Sequence, residues 1–125
     1  MTSETGRKTA NLRILIVEDE YLVAEEISET LRGIRINVVG PVGMIQEAYQ
    51  AVQDTSLDCA VMDINIGEGA SFPLIDVLIQ RSVPVLLMTG YDQEELPMKY
   101  RSLPLVQKPL LRGELARALG RLFKF

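Results

Sequence analysis

The chain has 125 residues, room for one domain with a single core, and 47% hydrophobic against 24% charged residues excludes a disordered polymer. A net charge of -4 argues against a general nucleic-acid binder, and the absence of histidine removes histidine acid–base catalysis, the Ser-His-Asp arrangement and most zinc sites. Cys59 is a lone cysteine in an apolar run, no apolar run approaches the roughly 20 residues of a membrane span, and "MTSETGRKTAN" lacks a secretory core, so the expected compartment is the cytoplasm.

In chain order, residues 1–11 read as a flexible tail and 12–125 as one domain. "LRILIV" (12–17) has the continuous apolar character of a strand buried on both faces. Ala24, Ile27, Leu31 and Ile34 then recur at helical spacing, with Glu25, Glu26, Glu29 and Arg32 on the other face. "INVVG" (36–40) is a second strand, expected to stop at Pro41, and "MIQEAYQAV" (44–52) a helix with Ala48 and Val52 inward. "DCAVMD" is the third strand, and Gly67 and Gly69 read as a bend into a helix that Pro73 opens and that runs to about Arg81.

"VPVLLM" (83–88) is the fourth strand. "DQEELPMKYRSLP" follows as a poor fourth helix, with Pro97 inside it and a thin apolar stripe, and is expected to be mobile. "PLVQ" (104–107) is the fifth strand. Leu111, Leu115, Ala118 and Leu122 mark the inner stripe of the last helix, with Gly113 and Gly120 weakening it. Five apolar strands alternating with five helices predict an α/β, doubly wound parallel sheet, with ligands outside the carboxyl ends of the strands.

Those carboxyl ends carry polar residues that the sequence scatters and a parallel sheet gathers on one rim. The first strand ends in Glu18, Asp19 and Glu20, the third in Asp63, the fourth in Thr89, and the fifth in Lys108 followed by Pro109. Converging carboxylates repel one another unless a cation joins them, and a hard divalent ion with oxygen ligands, above all Mg2+, answers that need. With the Lys108 ammonium and the Thr89 hydroxyl added, the rim is suited to a phosphoryl group attacked by a carboxylate. Glu20 reads separately, as an acid complementing a helix N-terminus.

The pieces "ILIVEDE", "VMDINIGEG", "LLMTGY" and "QKP", in this order and spacing, resemble the receiver domain of bacterial two-component response regulators, from about Leu12 to Leu122. The resemblance implies a flavodoxin-like (βα)5 sheet of strand order 2-1-3-4-5, the order that general accounts of this fold illustrate with the chemotaxis regulator CheY. It implies that Asp63 takes a phosphoryl group from a sensor histidine kinase or histidine phosphotransferase. Mg2+ would be held by Glu18, Asp19, Asp63 and the backbone carbonyl of Asn65. Thr89 matches the switch hydroxyl, Lys108 the phosphoryl-binding lysine, and Pro109 a proline often preceded by a cis bond.

Three features depart from the family pattern. Leu105 stands where most receivers carry an aromatic switch residue, and Tyr91 is the candidate substitute. The triplet Thr89-Gly90-Tyr91 without a fifth-strand aromatic resembles a subgroup common in alphaproteobacteria. The segment after the fourth strand is expected to carry the output by ordering or shifting. The chain ends with the fifth helix, which fits a stand-alone receiver or an excised domain. Tyr21 and Val23 are read as apolar contacts for a kinase or phosphotransferase helix, with ordinary helix packing as the alternative, for Val23 above all. The basic residues from Lys99 to Lys124, chiefly a solvated face, could also meet an acidic partner or a second copy in a homodimer. The expected protein is therefore a phosphoacceptor and not a metabolic enzyme. The alternatives are an Mg2+-dependent aspartyl-phosphate phosphohydrolase, for which Asn65 stands where a second acid is wanted, and a receiver-like scaffold that is never phosphorylated.

Overall fold

Strands β1 (Arg13–Val17), β2 (Asn37–Val42), β3 (Cys59–Met62), β4 (Val85–Thr89) and β5 (Leu105–Gln107) form one parallel sheet in the order β2-β1-β3-β4-β5. The computed structural model describes residues 12–66 and 69–124; the tail 1–11 and Gly67 of the expected bend lie outside the described residues, while Gly69–Ala70 pairs antiparallel with Asn65–Ile66. Ile14 to Val17 of β1 and all of β3 and β4 are buried, because helices cover both faces of the sheet. Alternation divides the apolar side chains between two layers. Leu15, Val17, Ala60, Met62, Val85 and Leu87 pack with α2 (Ile45–Asp54) and α3 (Phe72–Gln80). Ile14, Ile16, Cys59, Val61, Leu86 and Met88 pack with α1 (Tyr21–Gly33) and α4 (Glu114–Phe123). That double burial is why the strands read as unbroken apolar runs.

Several expectations need correction. Pro41 does not stop β2: the strand continues to Val42 through a cis Gly40–Pro41 bond and a register irregularity opposite Leu15–Val17. β2 lies at the sheet edge, where a proline removes no ladder donor from the interior. Gly40 has φ +93°, and a Cβ there would sit 2.8 Å from the Val42 nitrogen, so the irregularity requires glycine. The last helix starts at Glu114, leaving Leu111 before it and exposed. Gly113 is its left-handed N-cap (φ +79°), not a weak interior position, and Leu119 joins Leu115 and Ala118 in the core.

The fourth of five expected helices does not form. Residues 93–100 make two single 3-10 turns, Gln93–Glu95 and Met98–Tyr100, on either side of Pro97, leaving four α-helices among the described residues. Pro97 lacks the N–H that a continuous helix would use, and too few apolar residues are available to fix one. Side chains tie the segment down instead. Leu96 and Tyr100 are buried. The Tyr100 ring stacks on Phe72 of α3 with centroids 4.6 Å apart, and its hydroxyl donates to Asp76 Oδ1 at 2.9 Å. Arg101 donates to the carbonyls of Leu96 and Glu94, each at 2.9 Å. The Asp76 carboxyl is held below its usual range by hydrogen bonds from Lys99 and then Tyr100.

Two measurements test this packing. Tyr100→Ala should lower unfolding free energy by about 3 kcal/mol in urea titrations, through the lost stack and the cavity, whereas Tyr100→Phe should cost only about 1 kcal/mol. Burial pushes the Cys59 thiol up to about 12. Native protein at pH 8 should therefore resist iodoacetamide, and the same reagent should modify Cys59 fully in denaturant.

Candidate functional site

The sheet ladder continues one residue past the strand ends and so sets the rim. Val17 faces Met62 in register, and the Asp63 N–H donates to the Val17 carbonyl at 3.2 Å. The Glu18 N–H donates to Val42 at 2.9 Å, and the Lys108 N–H to Thr89 at 2.8 Å. Residues 90 positions apart in sequence thereby sit beside one another. Lys108 Nζ lies 2.7 Å from Asp63 Oδ2, 2.7 Å from Glu18 Oε1 and 3.4 Å from Glu20 Oε1. The Lys108–Pro109 peptide is cis.

Electrostatics make this rim unusual. The Glu18 side chain has no solvent exposure, and burial raises its pKa against the pull of Lys108 and of the Glu20 amide, which donates to Oε2 at 3.0 Å. Burial by itself would lower the pKa of Lys108, but the hydrogen bond to Asp63 and the Glu18 carboxylate beside it outweigh that and hold it above the usual lysine range. Glu18 Oε1 is buried and meets the Lys108 ammonium at 2.7 Å as an ion pair, without a well-aligned hydrogen bond. Carboxylate oxygens of Glu18, Glu20 and Asp63 fall within 4.8 Å of one another. Three carboxylates outnumber one ammonium, and all are hard oxygen donors. The residues present therefore fit a divalent cation such as Mg2+.

Not every expected residue joins that group. Asp19 is exposed and lies outside the cluster, while Glu20, read from sequence as a helix-end acid, lies inside it. Asn65 donates its N–H to Asp63 Oδ1 at 3.2 Å and its Nδ2 to the Tyr91 hydroxyl at 3.1 Å. Tyr91, 41% exposed, thus bridges the Asp63 loop and the end of β4, and its N–H donates to the buried Thr89 Oγ1 at 3.2 Å. Leu105 packs against the core layer that holds Leu96 and Tyr100. Of the proposed docking pair, Tyr21 is exposed, but Val23 turns inward against the α1/α4 layer; Leu22 is the exposed neighbour.

Two residues went unread. Gln107 donates to Asp92 Oδ1 at 2.8 Å and to the Tyr91 carbonyl at 3.3 Å, lacing β5 to the loop after β4. Its only sequence signal is two-residue spacing from Leu105, which puts both on one face. Ser71 is a buried polar residue at the start of α3 that nothing in its local sequence separates from an ordinary helix cap.

A doubly wound parallel sheet in this order, with acids and a lysine gathered at its carboxyl rim, defines a flavodoxin-like protein of the receiver type. The chain belongs to the response regulator receiver domain family, whose model matches residues 14–119. SdrG from Sphingomonas melonis Fr1 is 33% identical, with a TM-score of 0.77 over 90% of this chain and 97% of that one. Its BeF3-activated conformation, described under Pseudomonas melonis Fr1, superimposes with the same score. The phyllosphere-induced regulator PhyR of Methylorubrum extorquens is 29% identical over 102 residues, 77% of this chain and 38% of that protein. The transcriptional regulatory protein PdtaR of Mycobacterium tuberculosis is 28% identical over 90 residues, 71% of this chain and 44% of that one. The chain therefore spans less than half the length of these curated relatives. CheY4 of Vibrio cholerae, at 21% identity and a TM-score of 0.79, shares the fold. No helix among the described residues is long and apolar enough to cross a membrane.

The sign of the Glu18 shift yields a test. A carboxyl whose folded pKa lies above its unfolded value loses native-state stability as pH rises through that interval and regains it on acidification. Glu18→Gln should accordingly raise the melting temperature at pH 7 in EDTA, with the advantage shrinking as pH falls into the carboxylate range. The same variant should lose most of the stabilisation that millimolar Mg2+ gives the wild type.

Proposed function

We propose that this protein is a phosphoacceptor that takes a phosphoryl group onto Asp63 from a phosphohistidine of a sensor histidine kinase or histidine phosphotransferase. The observation that carries the reading is the 2.7 Å pairing of Lys108 with both Asp63 and Glu18 at the rim. An Asp63 carboxylate oxygen attacks phosphorus, the P–N bond breaks, and the imidazole leaves with its electron pair, giving an aspartyl phosphate. Lys108, already within 2.7 Å of Asp63 Oδ2, is placed to balance the negative charge of the phosphoryl oxygens. The Thr89 hydroxyl accepts the Tyr91 N–H on a lone pair and keeps its own O–H free to donate. Glu18, Glu20 and Asp63 would hold Mg2+, with Asp19 and the Asn65 carbonyl as further candidates from the family resemblance. Bound there, Mg2+ would neutralise phosphoryl oxygens during transfer.

The phosphorylated state then alters partner binding, and the protein works in the cytoplasm. The BeF3-activated conformation known for SdrG supports the reading, since that anion resembles a phosphoryl group on a carboxylate. A phosphohydrolase reading is weaker, because Asn65, two residues beyond Asp63, cannot act as an acid–base catalyst, and its amide is engaged with Tyr91. Incubation with acetyl phosphate and Mg2+ should add one phosphoryl mass, lost in Asp63→Asn, with no turnover of p-nitrophenyl phosphate. A mass gain that survives Asp63→Asn would refute the assignment, and steady turnover would favour the hydrolase.

A further inference from the structure

Among the described residues four polar side chains are buried: Glu18, Thr89, Ser28 and Ser71. Glu18 and Thr89 belong to the rim, and Ser28 donates to the Ala24 carbonyl one turn back in its own helix at 2.8 Å. Ser71 has no such local explanation. It is the N-cap of α3, a position where serine ordinarily accepts from the N–H groups of the first turn, yet it makes no side-chain cap bond. Pro73 occupies the first turn and lacks one of those N–H groups, so little is lost by turning the hydroxyl elsewhere.

The hydroxyl points back to the Asp63 loop. Ser71 Oγ lies 3.0 Å from the Asp63 carbonyl and 2.8 Å from the Ile64 carbonyl, which also accepts the Ser71 N–H at 2.7 Å. Since the Asp63 N–H is already bound to Val17 of β1, the backbone of Asp63 is anchored on both sides, to the sheet through its nitrogen and to α3 through its carbonyl. Between those anchors the carboxylate meets Lys108 and the Asn65 N–H.

We propose that Ser71 is a positioning residue for Asp63: its buried hydroxyl, sharing its one proton between the Asp63 and Ile64 carbonyls, fixes that turn of backbone and so holds the carboxylate in register with Lys108 and Glu18. The assignment rests on the reading of Asp63 as the reactive, cation-binding carboxylate. A reacting group must be held to a fraction of an ångström, and outer partners of a metal-binding group typically change affinity or rate by about 10- to 100-fold.

The test compares Ser71→Ala with Ser71→Cys, which keeps the volume but donates only weakly. If the hydroxyl is what matters, both variants should bind Mg2+ about tenfold more weakly and accept phosphoryl from acetyl phosphate about tenfold more slowly at saturating Mg2+. Both should also exchange the Asn65 amide faster in Mg2+-free buffer, well below their melting temperatures. Should Ser71→Cys match the wild type in all three, volume and not hydrogen bonding is at work and the proposal is overturned. It is equally overturned if both variants melt lower but keep wild-type affinity and Asn65 exchange. If Ser71→Ala does not fold, the cysteine variant alone decides. Failure of the wild type to take phosphoryl would sink the functional reading, while Mg2+ affinity and Asn65 exchange would still judge Ser71.

Discussion

A buried carboxylate and a half-buried ammonium 2.7 Å apart are the constraint around which this rim is organised. Neither Glu18 nor Lys108 would be stable there alone, since each loses its hydration on burial and only a partner offsets the loss. Asp63 completes the set by sharing the same ammonium. The arrangement survives because parallel pairing holds the strand ends level: Val17 opposite Met62, and Thr89 opposite Gln107. A slip of one residue in β3 would invert its side chains and withdraw Asp63 from Lys108, so sheet register and site chemistry are one specification.

The same logic explains what could be read from the residues. Fold order and the rim set of Glu18, Asp63, Thr89 and Lys108 were legible because apolar runs and their polar terminators sit adjacent in the chain. What escaped depends on contacts between distant segments or on choices within one turn. Glu20 looked like a helix-end charge because nothing local reports that Lys108 reaches it. Asp19, the other member of the expected pair, is exposed and stands outside that group of three carboxylates, and its local sequence does not report this. Whether Val23 faced a partner or the core was open for a related reason: which apolar residue of a first turn faces inward depends on where the helix begins, and a one-residue phase change rotates each side chain by about 100°.

Proline misled twice, in opposite directions. At Pro41 it looked like a strand stop, but an edge strand has no inner donor there to lose. At Pro97 it looked like a defect inside a helix, and the chain instead forms no helix there, with Leu96 and Tyr100 buried and Arg101 bonded to the Leu96 carbonyl. Local propensity foresaw the missing ladder but not the side chains that replace it.

That replacement bears on how the rim can communicate without an aromatic on β5. Leu105 has no polar handle and stays in the core layer beside Tyr100. Two residues on, the same strand face presents Gln107, whose carboxamide bonds Asp92, and Asp92 in turn caps the turn Gln93–Glu95. Asn65 grips the Tyr91 hydroxyl from the opposite side. The loop after β4 is therefore held by Asn65 from the Asp63 side and by Gln107 from the Lys108 side. Those two amide contacts tie the loop to backbone next to Lys108 and two residues beyond Asp63, through Gln107 and Asn65 and not through an aromatic on β5.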